Sequence, residues 1–232
     1  VASANELWDH PYYGETIRLM RGLIYNTDHG AVVATPFPKF FNYGQGGADQ
    51  FTLDEPVIVT DKVDGSLGII YREPRSGRLA VATRGSFASP QAVHATEVLR
   101  TKYAGWNPDP SETVLVEIIY PENRIVLDYG QMDDLVLLGG VDKEYGWVST
   151  PDSAAIWTAW PGPVAKTFVY QTLTDALAAD PRPNAEGLVI LSNDQPGSHK
   201  RRMVKVKQED YVALHRLVVG LSERRVYEAI LA

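Results

Sequence analysis

Apolar positions come in short runs, several alternating with polar ones, and glycine and proline clusters separate them. Leu23 to Asn26 and Ala31 to Thr35 predict a small hairpin around Thr27-Asp28-His29-Gly30. Val57 to Val63 and Leu67 to Tyr71 are rich in β-branched residues and predict two strands, with Asp64-Gly65-Ser66 as the turn between them. Leu79 to Thr83 continues that sheet past a turn at Pro74-Arg75-Ser76-Gly77. Pro90 to Tyr103 reads as a helix with Ser89 as N-cap and proline at the first position. Further strands are expected at Val114 to Tyr120, Ile125 to Tyr129 and Leu135 to Val141, and shorter helices at Asp152 to Trp160 and Thr174 to Ala179. Pro181-Arg182-Pro183 closes the second of these helices. Gly187 to Leu191 and Met203 to Val206 are the last strands, and Asp210 to Leu231 is the closing helix. The pattern is α+β, mainly antiparallel sheets flanked by helices. No repeat or linker interrupts it, so residues 1–232 read as one domain.

Composition narrows the classes. The chain has 232 residues, 44% of them hydrophobic, enough for a sizeable core. No apolar run approaches about 18 residues, so neither a signal peptide nor a membrane span is expected, and the cytoplasm is the expected location. There is no cysteine, which excludes disulfides, thiolate zinc sites and thiol catalysis. The five histidines show no metal-ligand spacing and read as structural. A net charge of −7 argues mildly against a protein that coats nucleic acid. However, five of the 22 basic side chains fall within nine positions, His199 to Lys207, with no acid among them. Such a run is either a solvated edge or a grip on a few phosphates.

The most informative stretch is Lys62-Val63-Asp64-Gly65. On strand alternation, Lys62 and Asp64 share a face while Val63 points the other way. Gly65 lets the backbone approach a bound ligand closely. An amine attacks phosphorus only when neutral, and for an ordinary lysine the neutral form costs about 4–5 kcal/mol at pH 7. Burial and nearby cations reduce that cost. Lys205 and Lys207, alternate residues of a later strand, are such neighbours, with Val204 and Val206 facing away.

Lys62-Val-Asp-Gly is followed in order by Val116-Glu117-Ile118, Ala185-Glu186-Gly187-Leu188-Val189-Ile190 and Lys205-Val-Lys207. This order resembles the covalent nucleotidyltransferases: ATP-dependent DNA ligases, RNA ligases and mRNA capping enzymes. Met20-Arg21-Gly22-Leu23, Lys39-Phe40-Phe41-Asn42, Glu122-Asn123-Arg124-Ile125-Val126 and the run from Lys205 to Tyr211 resemble one branch, the bacteriophage T4 RNA ligase 1 family. The resemblance runs from about Arg21 to Tyr211. It implies a nucleotidyltransferase (ATP-grasp-like ligase) fold with ATP in a cleft between sheets.

It also implies roles. Lys62 would attack the α-phosphate of ATP and form lysyl–AMP, with Asp64 and Gly65 completing the motif. Glu117 would hydrogen-bond the ribose, and Glu186 would stand near the nucleophile and the metal. Lys205 and Lys207 would hold the α-phosphate, while Arg21 and Lys39 would reach the β- and γ-phosphates. Val189 would form an aliphatic wall against adenine, and Tyr211 would close the site. Thr83-Arg84-Gly85-Ser86-Phe87 stands where the family usually shows Lys-Gly-Ser, so Arg84 keeps the charge but offers a planar fork.

The implied cofactors are ATP and Mg²⁺ or Mn²⁺, a hard cation that keeps much of its water and needs no dedicated protein cage. The implied partners are RNA ends bearing a 5′-phosphate and a 3′-hydroxyl. The T4-like ligases carry a further helical domain after the lysine pair, so a minimal ligase, a trimmed chain or a component of a larger repair assembly are all open, as is a partner protein. Two other activities stay open: adenylylation of DNA ends or another phosphorylated acceptor, and a nucleotide-binding regulatory domain without turnover. Intact Lys62, Glu186, Lys205 and Lys207 argue against the second.

Overall fold

The computed structural model describes residues 12–194 and 201–220. A short helix α1 (Gly14–Leu19) leads into the hairpin β1 (Ile24–Asn26) and β2 (Ala31–Ala34). One five-stranded sheet contains β3 (Phe41–Asn42), β4 (Val57–Asp61), β10 (Thr167–Phe168), β11 (Gly187–Ser192) and β12 (Met203–Lys207), in the order β10-β4-β11-β12-β3. The other contains β5 (Ser66–Arg72), β6 (Leu79–Ala82), β7 (Glu112–Ile119), β8 (Asp134–Asp142) and β9 (Val148–Ser149), in the order β6-β5-β7-β8-β9. All their pairings are antiparallel except β12 with β3. Helices α2 (Pro90–Thr101), α3 (Pro151–Thr158), α4 (Leu173–Leu177) and α5 (Glu209–Gly220) complete the described chain.

Period-two alternation builds the layers. Leu188 and Ile190 of β11 and Val204 of β12 point to one face, where they pack with Leu173 and Ala176 of α4. On β7, Val114, Val116 and Ile118 pack with Ala95, Val98 and Leu99 of α2 and Ala154 of α3. Between the sheets, Ile69, Leu115 and Val141 meet Leu191 and Met203 in a shared cluster. Each fully buried aliphatic side chain contributes about 1.5–3 kcal/mol relative to exposure, so these clusters fix the sheets' mutual placement.

Side-chain caps fix the starts of three helices, of which the one at Ser89 was expected. The Ser89 hydroxyl accepts from Ala92 N with Pro90 at the first turn, and Thr150 caps α3 by accepting from Ser153 N. Thr172 and Asp175 form a reciprocal capping box at α4.

Three expectations are corrected. Asp64-Gly65-Ser66 is no hairpin turn: β4 pairs with β10 and β11, β5 pairs with β6 and β7, and residues 62–65 cross from one sheet to the other. Ile125 to Tyr129 is not a strand, because its amides serve a buried carboxylate instead of a ladder. The basic run divides: Arg201 is buried over the Trp147 ring, Arg202 pairs with Glu55 and Asp194, and residues 195–200 lie outside the described residues. The predicted closing helix is present as far as Gly220, and its remainder lies outside them as well. Helix α1 and strands β3, β9 and β10 were not predicted; they are six residues or fewer and carry little periodic signal.

Candidate active site

A cleft of about 710 Å³ opens between the two sheets. Lys62 lies just past the end of β4, where its backbone N–H donates to Gly187 O at 3.1 Å. Its Nζ sits 2.7 Å from Glu186 Oε2, and Lys207 Nζ lies 2.7 Å from Glu186 Oε1. The Glu186 side chain is only 3% exposed, so one buried carboxylate holds two ammonium groups. Arg182 fixes this junction. Its Nη2 donates to Asp61 Oδ1 and to Gly187 O, both at 2.8 Å, clamping the end of β4 to the start of β11. Gly187 has φ +151, and a Cβ there would collide with the Val206 carbonyl, so the residue after Glu186 must be glycine for β11 to pair with β12.

Asp64 does not share a face with Lys62, because the strand stops at Asp61 and alternation no longer applies. Asp64 is 5% exposed. Its Oδ2 accepts from Val126 N and Leu127 N, both at 2.9 Å, and its Oδ1 accepts from the Tyr211 hydroxyl at 2.7 Å. Asp64 N donates to the Tyr129 hydroxyl at 2.9 Å. Asp64 and Tyr211 are thus buried supports of the Lys62 crossover, not groups lining the cleft. Burial, followed by the Asp64 bond, pushes the Tyr211 hydroxyl above its usual range.

Gly65 lines the cleft, yet the contact that demands glycine is internal. A Cβ would lie 2.7 Å from Ile118 O and 3.0 Å from Glu117 Cγ. Crossing this close to β7 lets the Gly65 amide bond Glu117, which is 9% exposed. Burial pushes the Glu117 carboxyl up to about 8; Lys62 opposes the shift, while Glu186 and Asp64 add to it.

Arg21, Lys39, Arg84 and Lys205 also line the cleft. No acid pairs with them among the described residues, and they crowd one another. Burial, then Arg84, lowers the Arg21 pKa; burial, then Arg21 and Arg84, lowers that of Lys39. Burial, then Lys39, Lys62, Lys207 and Arg21, pushes Lys205 down to about 8. The positive crowding expected around Lys62 is therefore felt at Lys205, while Lys62 faces a carboxylate. Gly22, at φ +88, turns the chain after Arg21 against the Arg84 backbone. Val189 lines the cleft and Leu188 packs beneath, as strand parity requires.

Two placements depart from the expected roles. Lys207 is tied to Glu186, leaving Lys205 as the lysine of the pair that lines the cleft. Each Glu186 oxygen carries a lysine partner, and among the described residues no group of three acids or histidines could hold a metal ion. Sequence reasoning missed Arg182, read only as a helix stop, and Leu138, Ser66 and Gln91, which line the cleft without any motif signal.

The sequence model of the T4 RNA ligase 1 type of RNA ligase matches residues 19–211. The chain belongs to this RNA ligase family. RNA ligase 1 of bacteriophage TS2126 is 30% identical over 126 residues, covering 48% of this chain and 31% of that protein. A relative from Thermovibrio ammonificans is 29% identical over 136 residues, covering 56% of this chain and 35% of that protein. The chain thus spans about a third of the length of these curated relatives. Among solved structures, an archaeal ATP-dependent RNA ligase superposes with TM-score 0.56 at 19% identity, covering 83% of this chain and 53% of that one. A Naegleria gruberi RNA ligase variant with AMP and Mn gives TM-score 0.51 at 18% identity, covering 71% and 53%. At these identities the likeness establishes the RNA ligase fold: α+β, with mainly antiparallel sheets. No helix among the described residues is long and apolar enough to cross a membrane.

Proposed function

We propose that this RNA ligase family member is an ATP-dependent adenylyltransferase that forms lysyl–AMP at Lys62, passes AMP to an RNA 5′-phosphate, and seals that end to a 3′-hydroxyl. The observation that carries the reading is Lys62 Nζ held 2.7 Å from a buried carboxylate, in a cleft also lined by four cations without acid partners among the described residues. The Lys62 lone pair attacks the α-phosphorus, the bond from that phosphorus to the bridging oxygen breaks, and pyrophosphate leaves with its electron pair. Glu186 Oε2 is within hydrogen-bond distance to take the proton the amine loses. Lys205 balances charge at the α-phosphate, and Arg21 and Lys39 hold the departing pyrophosphate. Glu117 serves the ribose, and Val189 on one sheet with Leu138 on the other supplies apolar walls for adenine. Asp64, Tyr211 and Arg182 keep Lys62 against Glu186.

No group of three acids or histidines among the described residues could hold a metal ion by protein ligands alone. Mg²⁺ or Mn²⁺ would enter on the triphosphate and offset its charge there. The apolar cluster shared by both sheets supports a single nucleotidyltransferase domain.

Incubation with ATP labelled at the α-phosphate, then denaturing electrophoresis, tests the first step. The expected result is a covalent label that Lys62→Ala abolishes; an unlabelled wild type would sink the proposal. Supplying 5′-phosphorylated RNA or DNA tests the acceptor, and label moving to DNA alone would overturn the RNA assignment.

A further inference from the structure

Arg84 and Gly85 form the tip of a two-residue turn, closed by an isolated bridge between Thr83 and Ser86. Thr83 N donates to Ser86 O at 2.9 Å, and the Thr83 hydroxyl donates to the same oxygen at 3.3 Å. Thr83 Oγ1 also lies 3.1 Å from Ser89 Oγ, the N-cap of α2, which ties that side of the turn to a helix. Arg84 lines the cleft. Phe87, just past the turn, instead lines a separate hollow of about 360 Å³ with Tyr71, Val93 and Thr96. Its ring meets that of Tyr71, with 5.4 Å between centroids and 58° between planes.

Phe87 is 59% exposed and belongs to none of the buried clusters of the described residues, so it adds little to the core. Tyr71 differs, because it packs against the cluster shared by both sheets. Phe87 therefore leans on a ring that the core holds fixed. Arg84 needs such a hold. It has no acid partner among the described residues, and its charge lowers the pKa of both Arg21 and Lys39. Like charges repel, so the protein's own electrostatics push Arg84 away from the cleft. A Cβ on Gly85 would meet nothing within 4 Å, so the tip itself is not packed in place. The turn is held at its two ends, by Thr83 on Ser89 and by Phe87 on Tyr71. We infer that Phe87, braced on Tyr71, is a positioning residue that keeps the Arg84 guanidinium at the cleft for the phosphates of ATP. The inference rests on the ligase reading and adds residues outside the cleft that set its affinity for ATP. A cation placed in advance loses less freedom when the anion binds, so the brace shows as affinity.

The test is a double-mutant cycle on the full chain: wild type, Phe87→Ala, Arg84→Ala and the double variant, with Phe87→Tyr as the conservative control. The readouts are the KM for ATP in lysyl–AMP formation and the rate of sealing a strand that already carries AMP. Phe87→Ala should raise the KM about threefold to tenfold, the size of one lost aromatic pair, while Phe87→Tyr stays near the wild type. The double variant should be no weaker than Arg84→Ala alone, because a residue that acts through Arg84 has nothing left to position. Full additivity of the two losses, or an unaltered KM in Phe87→Ala, would overturn the inference. A fall in sealing as large as the fall in ATP use would also overturn it, by placing Phe87 against the strand. Tyr71→Leu should reproduce the Phe87→Ala result if it folds; should it not fold, the Phe87 variants carry the test. A wild type that binds ATP but forms no lysyl–AMP would overturn the ligase reading, and the same cycle in ATP affinity then decides this inference separately.

Discussion

Two groups of charged side chains in the cleft region are built on opposite electrostatic plans. Around Lys62 every charge has a partner: Glu186 holds Lys62 and Lys207, Asp61 holds Arg182, and Asp64 is saturated by two backbone amides and the Tyr211 hydroxyl. No acid among the described residues pairs with Arg21, Lys39, Arg84 or Lys205, and burial with mutual repulsion lowers the pKa of Arg21, Lys39 and Lys205. Under the proposed reaction the difference separates two tasks. A nucleophile needs one fixed position and a route for its proton, which a buried carboxylate provides. A grip on an anion needs charge that the protein has not already neutralised.

The largest expected effect comes from breaking the first plan. Glu186→Gln keeps the side-chain shape but removes the charge between two ammonium groups. Labelling of Lys62 by α-labelled ATP should fall about a hundredfold or more, and an unchanged labelling rate would show that Glu186 is not the proton acceptor. Asp64→Ala leaves two buried N–H groups and one hydroxyl without an acceptor. It should destabilise the protein by about 2–4 kcal/mol, read from denaturant unfolding. Loss of activity at unchanged stability would instead make Asp64 a reacting group.

Changing pH sharpens the second plan. Lys205, its pKa pushed down to about 8 by burial and neighbouring cations, is charged below that pH and neutral above it. ATP affinity should weaken as pH rises past about 8, by up to about tenfold per unit. Lys205→Arg, which keeps its charge, should remove this trend in a binding titration. The smallest effect is expected for Tyr211→Phe, which deletes one hydrogen bond to Asp64 and should cost about 1–2 kcal/mol of stability.

The parts legible in the sequence were those set by local rules. Ser89-Pro90 announced its helix, and strand parity put Val189 and Lys205 in the cleft and Leu188 and Val204 in the core. Motif order led to Lys62, Glu117 and Glu186 before any geometry was known. What failed were inferences that extended a local rule across a sheet boundary. Asp64-Gly65-Ser66 has turn composition, yet no local feature states that the strands on either side join different sheets. Ile125 to Tyr129 has β-branched composition, but its amides are drawn to Asp64, 62 positions away.

The sequence by itself determined the longer elements, the faces of β11 and β12 and the chemical kinds at the site: a lysine, acids and cations in a fixed order. Only the tertiary structure decided who is paired with whom. Glu186 became the partner of two lysines, Asp64 and Tyr211 became a buried support, and Asn123 acquired Ser66 and Gln91. The physical reason is range. Caps and alternation act within a few residues, whereas ion pairs and hydrogen bonds depend on distances that only the packing of two sheets sets.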